Sequence, residues 1–318
     1  MGEIWQIVGG AAGLALLYYG AEWLVRGGVR VARAMGVPPL VIGLTLVAFA
    51  TSAPELVVSI DSAWRGCGNV SLGNVVGSNI CNIALILGAA AAIRPLRVHR
   101  SLFRRDFPLL ILASWVLGGF HWLTGGVNRW EAGVLLAGLF GYVGWTLWKG
   151  KKDGVAEAGE AEEAMAAAEG LGIWAALGLV AVGIAGLAGG AKLLVDAAIV
   201  LARMCGVTDA VIALTVVALG TSLPELATSV VAAKRGESDI AVGNVVGSNL
   251  FNILSILGIA PLVAPITAPD IRPADMWTML GLTVALPLLC WKGRLGRGWG
   301  WALLAGYAGY MGWLAVRG

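Results

Sequence analysis

Residues 43–59 read GLTLVAFATSAPELVVS, and residues 213–229 read ALTVVALGTSLPELATS. At the same offset of 170 residues, positions 72–88 read LGNVVGSNICNIALILG and positions 242–258 read VGNVVGSNLFNILSILG. Ten of the 17 positions in the first pair and twelve of the 17 in the second are identical. Each copy carries a Pro-Glu pair or a row of Asn and Ser inside an apolar stretch. Polar groups are expensive at membrane depth, so the pattern predicts a duplicated functional core.

The composition is that of an integral membrane protein. The chain of 318 residues is 58% hydrophobic and 13% charged, with a mean hydropathy of +0.82, whereas a soluble domain carries about 25% charged residues. We therefore expect a multi-pass protein in the lipid bilayer of the cell membrane. The net charge of +3 gives no indication of a nucleic-acid partner.

The hydrophobic segments predict an all-α membrane protein with ten transmembrane helices. A spanning helix needs roughly 20 apolar residues, and ten segments qualify: 4–25, 38–61, 70–93, 107–124, 130–148, 171–195, 208–232, 240–264, 275–291 and 299–316. Five fall in each half, so the second half enters the membrane from the opposite side. We expect two inverted five-helix repeats, 1–149 and 171–318, joined by a linker at 150–170.

The distribution of basic residues predicts the orientation of these helices. Cytoplasmic loops carry an excess of Lys and Arg. If the N-terminus lies outside, the inward loops and the linker hold most of the 22 Lys and Arg residues. We therefore expect both termini outside and the 150–170 linker in the cytoplasm.

The polar residues of each copy share helix faces. At about 100° per residue, Thr51, Ser52, Glu55 and Ser59 lie on one face of the second helix together with Ala48, and the third helix carries a stripe at i, i+4 and i+8. The second half repeats both patterns. The residues on these faces are Ala48, Thr51, Ser52, Glu55, Ser59, Asn74, Ser78 and Asn82, then Ala218, Thr221, Ser222, Glu225, Ser229, Asn244, Ser248 and Asn252.

Facing stripes of this kind predict a cation site made of oxygen ligands. Ca²⁺ takes about six to eight oxygen ligands, and Na⁺ also prefers oxygen. Two glutamates supply a charge that one Ca²⁺ or two Na⁺ would balance. Pro54 and Pro224 lack an N–H, and we expect them to free carbonyl groups around 48–51 and 218–221 for the same purpose.

Several neighbouring residues fit structural roles better. Gly73 with Gly77, and Gly243 with Gly247, have the small-xxx-small spacing of close helix contact. Asn79 and Asn249 lie off the polar stripe, which favours helix capping or hydrogen bonds between helices. Two i, i+4 ion pairs are expected in the opening helices, Glu22–Arg26 and Lys192–Asp196. The four cysteines show no metal-ligand spacing, and we expect neither a disulfide nor a cofactor.

At ATSAPEL with GNVVGSNICN, and at GTSLPEL with GNVVGSNLFN, the chain resembles the cation/calcium exchanger superfamily, most closely its prokaryotic sodium/calcium exchangers. The resemblance implies an antiporter that exchanges Ca²⁺ for Na⁺ by alternating access and functions as a monomer. It also implies that the opening helix of each half slides, including Gly27-Gly28 and Gly189-Gly190. The implied metal ligands are Glu55, Glu225, Thr51, Thr221, Ser52, Ser222, Ser78, Ser248, Asn82 and Asn252, with the carbonyls of Ala48 and Ala218.

One departure from the family pattern concerns charge. Some relatives carry Asp at the position of Asn252, whereas here both halves end in Asn (Asn82 and Asn252). With two carboxylates, three Na⁺ would leave a charge of +1 and one Ca²⁺ would leave none. We therefore predict electrogenic exchange without obligatory protonation at Asn252.

Other functions remain open from the sequence alone. A calcium/proton antiporter of the same superfamily tends to have Gly-Asn-x-x-Glu motifs in place of Thr-Ser-x-Pro-Glu, and potassium-coupled relatives resemble the Asp version. A cation channel would need a continuous pathway, which inverted repeats around broken helices do not favour. A membrane enzyme would need a nucleophile–base pair or metal ligands, and the sequence motifs supply neither.

Overall fold

A computed structural model describes residues 2–165, 172–204 and 218–317. Within these ranges the first half contains α1 (Gly2–Met35), α2 (Pro39–Ile42), α3 (Ala48–Thr51), α4 (Ala53–Trp64), α5 (Gly68–Cys81), α6 (Gly88–Ile93), α7 (Phe107–Thr124) and α8 (Arg129–Met165). The second half contains α9 (Ile173–Met204), α10 (Ala218–Thr221), α11 (Leu223–Arg235), α12 (Ser238–Phe251), α13 (Leu257–Val263), α14 (Pro273–Leu289) and α15 (Arg297–Arg317).

Short π-helical stretches and strands complete the described elements. The π-helical stretches are Gly43–Val47, Asn82–Leu87, Leu102–Asp106 and Asn252–Ile256. The strands are β1 (Leu96–Arg97), β2 (Gly126–Val127), β3 (Ile266–Thr267) and β4 (Arg294–Leu295). Two of the π-helical stretches begin at Asn82 and Asn252, the last residues of the duplicated polar stripe. Wider helical turns of this kind occur frequently at functional sites.

The helices confirm an all-α membrane protein. Five described helices are long and apolar enough to cross a membrane, and the bent pair Pro39–Thr51 with Ala53–Trp64 would make a sixth. Each of the ten predicted segments overlaps a described helix, although 208–217 lies outside the described residues. Helix α8 continues to Met165, through most of the expected linker. The count of ten crossings, the boundaries of the halves and the cytoplasmic linker stay predictions.

The opening helices of the two halves pack against each other in opposite directions. A Cβ atom added at Gly13 would lie 2.8 Å from the carbonyl oxygen of Gly190, and one at Gly20 would lie 2.9 Å from that of Gly183. Along this contact, residue numbers increase on α1 while they decrease on α9. The two helices are therefore antiparallel. Gly13 and Gly183 are 170 residues apart, as are Gly20 and Gly190, so the repeats are inverted and related by a twofold axis.

The strands obey the same twofold relation. β1 pairs antiparallel with β4, and β2 pairs antiparallel with β3. In each pair, a strand that follows the third predicted helix of one half joins a strand between the fourth and fifth helices of the other. Two paired loops lie on the same side of a membrane, which agrees with the even number of predicted crossings between them.

Helices α5 and α12, with their continuations, form the centre of the molecule. Within an 18-residue apolar window of each span, 72% of the residues are buried in Gly68–Ile93 and 89% in Ser238–Val263, against 28% in Ile173–Leu201. A Cβ atom added at Gly243 or Gly247 would lie 2.7–3.2 Å from backbone atoms of residues 40–44. These contacts confirm that the small-xxx-small pair of the second half serves helix packing. The 170-residue offset takes residues 40–44 to 210–214, which lie outside the described residues, so a packing role for Gly73 and Gly77 stays a prediction.

The glycine contacts predict a sharp difference between two adjacent substitutions. Gly190→Ala places a Cβ 2.8 Å from the backbone of α1, whereas Gly189→Ala meets nothing within 4 Å. Overpacking of this kind costs about 1–3 kcal/mol, while alanine in an open helical position gains about 1 kcal/mol over glycine. Thermal unfolding in detergent should show Gly190→Ala destabilised and Gly189→Ala unchanged or stabilised. Equal midpoints for the two variants would contradict the close packing of α1 on α9.

Candidate functional site

Two broken helices meet at the centre of the fold. The first bends by 45° between Pro39–Thr51 and Ala53–Trp64, at Ser52 with φ −82° and ψ 4°. The second breaks at Ser222 with φ −88° and ψ 5°. Pro54 and Pro224 then lie in the first turn of the next helix, where a missing N–H costs nothing. The breaks therefore come one or two residues before the prolines.

The carbonyl of Ala48 is not freed by this break, contrary to the expectation. It accepts a hydrogen bond from the N–H of Ser52 at 3.0 Å, and the hydroxyl oxygen of Thr51 lies 3.3 Å away from it. The reason is the helical ladder itself: a proline at position 54 removes the donor for residue 50, four residues earlier, and leaves the donor for residue 48 in place.

Two glutamates lie at the breaks, each in the first turn of the new helix. Glu55 and Glu225 are each only 1% exposed, and the first turn of a helix favours negative charge. Ser222 donates to Oε1 of Glu55 at 3.1 Å, and Ser52 donates to Oε1 of Glu225 at 2.9 Å. Each carboxylate is thus held by the break of the opposite half.

The amides of the polar stripes are held crosswise as well. Asn82 donates through Nδ2 to Oδ1 of Asn249 at 2.9 Å, and Asn252 donates through Nδ2 to Oδ1 of Asn79 at 3.1 Å. These bonds confirm that Asn79 and Asn249 form hydrogen bonds between helices. Because both amide nitrogens are engaged, the amide oxygens of Asn82 and Asn252 point the other way.

Asn74 and Asn244, which the helix faces placed among the candidate ligands, bind protein groups. Asn74 donates to the carbonyl of Glu55 at 3.1 Å and to the hydroxyl of Ser59 at 2.9 Å. Asn244 donates to the carbonyl of Glu225 at 3.4 Å and to the hydroxyl of Ser229 at 3.0 Å. Each asparagine therefore fixes a broken helix to the next helix of its own half.

The remaining candidates lie on the same interface or next to it. The hydroxyl of Thr51 donates to Oδ1 of Asn244 at 3.1 Å and lies 3.5 Å from the hydroxyl of Ser248. Ser78 and Ser248 are both buried. Ala218 and Thr221 are the two ends of α10.

Four buried oxygen atoms in this region accept no hydrogen bond from the described residues. They are Oε2 of Glu55, Oε2 of Glu225, Oδ1 of Asn82 and Oδ1 of Asn252. They form two pairs related by the 170-residue offset. An unpaired buried carboxylate is costly, and none of the ion pairs among the described residues involves Glu55 or Glu225. A cation among these oxygens would remove that cost.

A cavity of about 510 Å³ reaches the two breaks from one side of the molecule. Pro54, Thr221 and Pro224 line its inner end, and α9 forms the opposite wall through residues that include Leu187 and Lys192. This cavity could not be predicted from the sequence, because the two halves carry nearly the same motifs.

Inverted repeats that bring two broken helices and two buried carboxylates together define a secondary transporter. A family model described as sodium/calcium exchanger protein matches this chain over residues 5–148 and 175–316. The chain belongs to the sodium/calcium exchanger family, and it is a transporter, not an enzyme.

Relatives and a solved structure support this assignment along the whole chain. A putative antiporter, CaxA of Alkalimonas amylolytica, is 36% identical over 303 residues, 94% of this chain and 95% of its own length. The sodium/calcium exchanger MaX1 of Methanosarcina acetivorans is 31% identical over 81% of this chain and 83% of its own. The solved structure of the sodium-calcium exchanger NCX_Mj, soaked with Na⁺ and Ca²⁺, has a TM-score of 0.84 and 32% identity, covering 97% of this chain and 98% of that one.

The crosswise asparagine bonds predict a role for a residue that offers no ion ligand of its own. Asn249→Ala removes the acceptor of the Asn82 amide and releases the orientation of that side chain. A lost buried hydrogen bond of about 1–2 kcal/mol corresponds to about a 5- to 30-fold change. The KM for Ca²⁺ should rise by that factor in a liposome flux assay, with a smaller change in maximal rate.

The control is Asn69→Ala, which removes an asparagine at the exposed start of α5 whose side chain donates to Asp270. We expect its KM to equal that of the unmodified protein. An unchanged KM in Asn249→Ala would show that Asn249 does not orient Asn82.

Proposed function

We propose that the protein exchanges Ca²⁺ for Na⁺ across the membrane by alternating access. The observation that carries the proposal is the set of four unpaired buried oxygens on Glu55, Glu225, Asn82 and Asn252. Hard cations bind such oxygens, and a buried pair of carboxylates without a basic partner requires positive charge. The family assignment and the likeness to NCX_Mj support the same conclusion.

The proposed ligand set follows the twofold axis. Glu55 and Glu225 serve Ca²⁺ and Na⁺ in turn through Oε2, while their Oε1 atoms stay bound to the serines of the opposite half. The amide oxygens of Asn82 and Asn252 complete the central site. The other ligands, which serve mainly Na⁺, are Thr51, Thr221, Ser52, Ser222, Ser78 and Ser248, with the carbonyl of Ala218; the carbonyl of Ala48 is left out because it stays in the helical hydrogen-bond ladder.

The charge of this site sets the electrical character of transport. The described residues contain no group of three or more His, Cys, Asp or Glu side chains that could hold a metal ion, so the core charge comes from two carboxylates. One Ca²⁺ neutralises them, and three Na⁺ leave a charge of +1. Exchange at that stoichiometry moves net charge and is electrogenic.

We also infer the location and orientation of the protein, its substrates, and what transport does not require. The protein lies in the cell membrane with both termini outside and residues 150–170 in the cytoplasm. Na⁺ and Ca²⁺ are its substrates, and transport needs no cofactor and no second subunit.

The coupling ion is tested by Ca²⁺ uptake into proteoliposomes. Vesicles loaded with Na⁺ and diluted into Na⁺-free buffer should take up radioactive Ca²⁺, and a proton ionophore should not stop the uptake. K⁺ is varied separately, because dependence on K⁺ would indicate potassium-coupled exchange. Uptake that follows only a proton gradient would contradict the proposal and indicate calcium/proton exchange, and uptake without any counter-ion would indicate a channel.

In the same assay Glu225→Gln should abolish Ca²⁺ uptake, since one carboxylate cannot neutralise Ca²⁺. The matched control is Glu237→Gln, a glutamate that precedes α12 outside the core, and it should transport normally. Normal uptake by Glu225→Gln would overturn the ligand assignment.

A further substitution tests the charge argument directly. Asn252→Asp changes the charge of the core from −2 to −3. The core would then be neutral with three Na⁺ bound and would carry −1 with one Ca²⁺ bound. The rate of exchange should then respond to an imposed membrane potential through the calcium-bound step instead of the sodium-bound step. Valinomycin-clamped liposomes measure this dependence, and identical voltage responses in the two proteins would contradict a core of two carboxylates.

A further inference from the structure

The two halves are alike in sequence, yet they pack differently around the core. The 170-residue offset relates α1 to α9 and α4 to α11. On one side of the molecule α1 packs along α11. On the other side the cavity of about 510 Å³ lies between α9 and α4. The contact between α1 and α11 is therefore closed, whereas the contact between α9 and α4, which the twofold axis relates to it, is open.

An ion pair joins the two helices on the closed side. Arg235, at the end of α11, donates through Nε to Oε2 of Glu22 on α1 at 2.6 Å. Arg26 binds the same carboxylate through its Nη2 atom at 2.7 Å. The side chains of Glu22 and Arg235 are 14% and 30% exposed. The pair is thus partly shielded from water and connects two elements, unlike a pair within one helix.

The open side also carries three charged residues at the related positions, with the signs of two of them exchanged. The 170-residue offset takes Glu22, Arg26 and Arg235 to Lys192, Asp196 and Arg65. Both sets contain one acid and two bases. On the open side, however, Lys192 binds Asp196 at 2.8 Å and Arg65 binds Asp61 at 2.8 Å. Each of these pairs stays within four residues, so no ion pair between described residues crosses the cavity.

We propose that the Glu22–Arg235 ion pair closes one of two access paths to the ion-binding core while the other path stands open. This assignment rests on the alternating access proposed above. When the pair breaks, α1 separates from α11. On the opposite side Arg65 then leaves Asp61 for Asp196 as α9 closes on α4. The two sets of charges therefore hold the two end states in turn.

A buried hydroxyl on the closed side supports this assignment. Thr228 on α11 is fully buried, and its Oγ1 atom has no hydrogen-bond partner among the described residues. Its counterpart at the 170-residue offset is Val58, which lines the cavity. A path that opened between α1 and α11 would bring water to the Thr228 hydroxyl.

The test uses two cysteine reporters at these related positions. With the native cysteines replaced by alanine, Val58→Cys and Thr228→Cys are each treated with N-ethylmaleimide in detergent, without Na⁺ or Ca²⁺. We expect rapid labelling at position 58 and slow labelling at position 228. Arg235→Gln should raise the labelling rate at position 228 by about tenfold, a typical conformational coupling, and lower the rate at position 58.

Three further variants decide the outcome. Glu22→Gln breaks the same pair from the other helix and should act like Arg235→Gln, while the exchange E22R/R235E should restore slow labelling at position 228. Arg65→Gln removes the related arginine of the open side and should leave position 228 slow. Unchanged labelling at position 228 in both single variants, or equal exposure by Arg65→Gln, would overturn the proposal. Labelling needs no transported ion, so this result is independent of the coupling assay.

Discussion

The structure depends on two buried carboxylates, Glu55 and Glu225, that have no basic partner in the part of the chain that the structure describes. Burial of such a pair is unfavourable unless other groups or ions compensate it. One oxygen of each carboxylate accepts a hydrogen bond, because Ser222 donates to Oε1 of Glu55 and Ser52 donates to Oε1 of Glu225. The other oxygen of each carboxylate has no hydrogen-bond partner among the described residues. Since each serine belongs to the opposite half, neither repeat can build the site alone.

The inverted arrangement of the repeats agrees with the need for both halves to contribute to one site. A site that two polar helices share from opposite directions has two related entrances, and small differences in packing decide which one is open. The contacts between Gly13 and Gly190, and between Gly20 and Gly183, keep the opening helices in close contact. Movement of that pair would close one entrance and open the other.

Much of this arrangement could be predicted from the sequence, because the motifs are duplicated. The repeat gave the inverted fold, the polar helix faces, and the hydrogen-bonding role of Asn79 and Asn249. The crosswise partners could not be predicted, since Ser52 and Glu225 are 173 residues apart. The prediction that Pro54 frees the Ala48 carbonyl was wrong, because Pro54 removes the donor for residue 50 and the N–H of Ser52 stays bonded to Ala48. The open cavity was missed because equal motifs give no reason for unequal packing.

The most direct test of the account is the position of the ion itself. Crystals soaked in Ca²⁺ should show one anomalous peak between the two broken helices, at about 2.3–2.6 Å from Oε2 of both Glu55 and Glu225. The amide oxygens of Asn82 and Asn252 should face the same peak. A peak bound by only one of the glutamates, or located outside the broken helices, would contradict a shared carboxylate site.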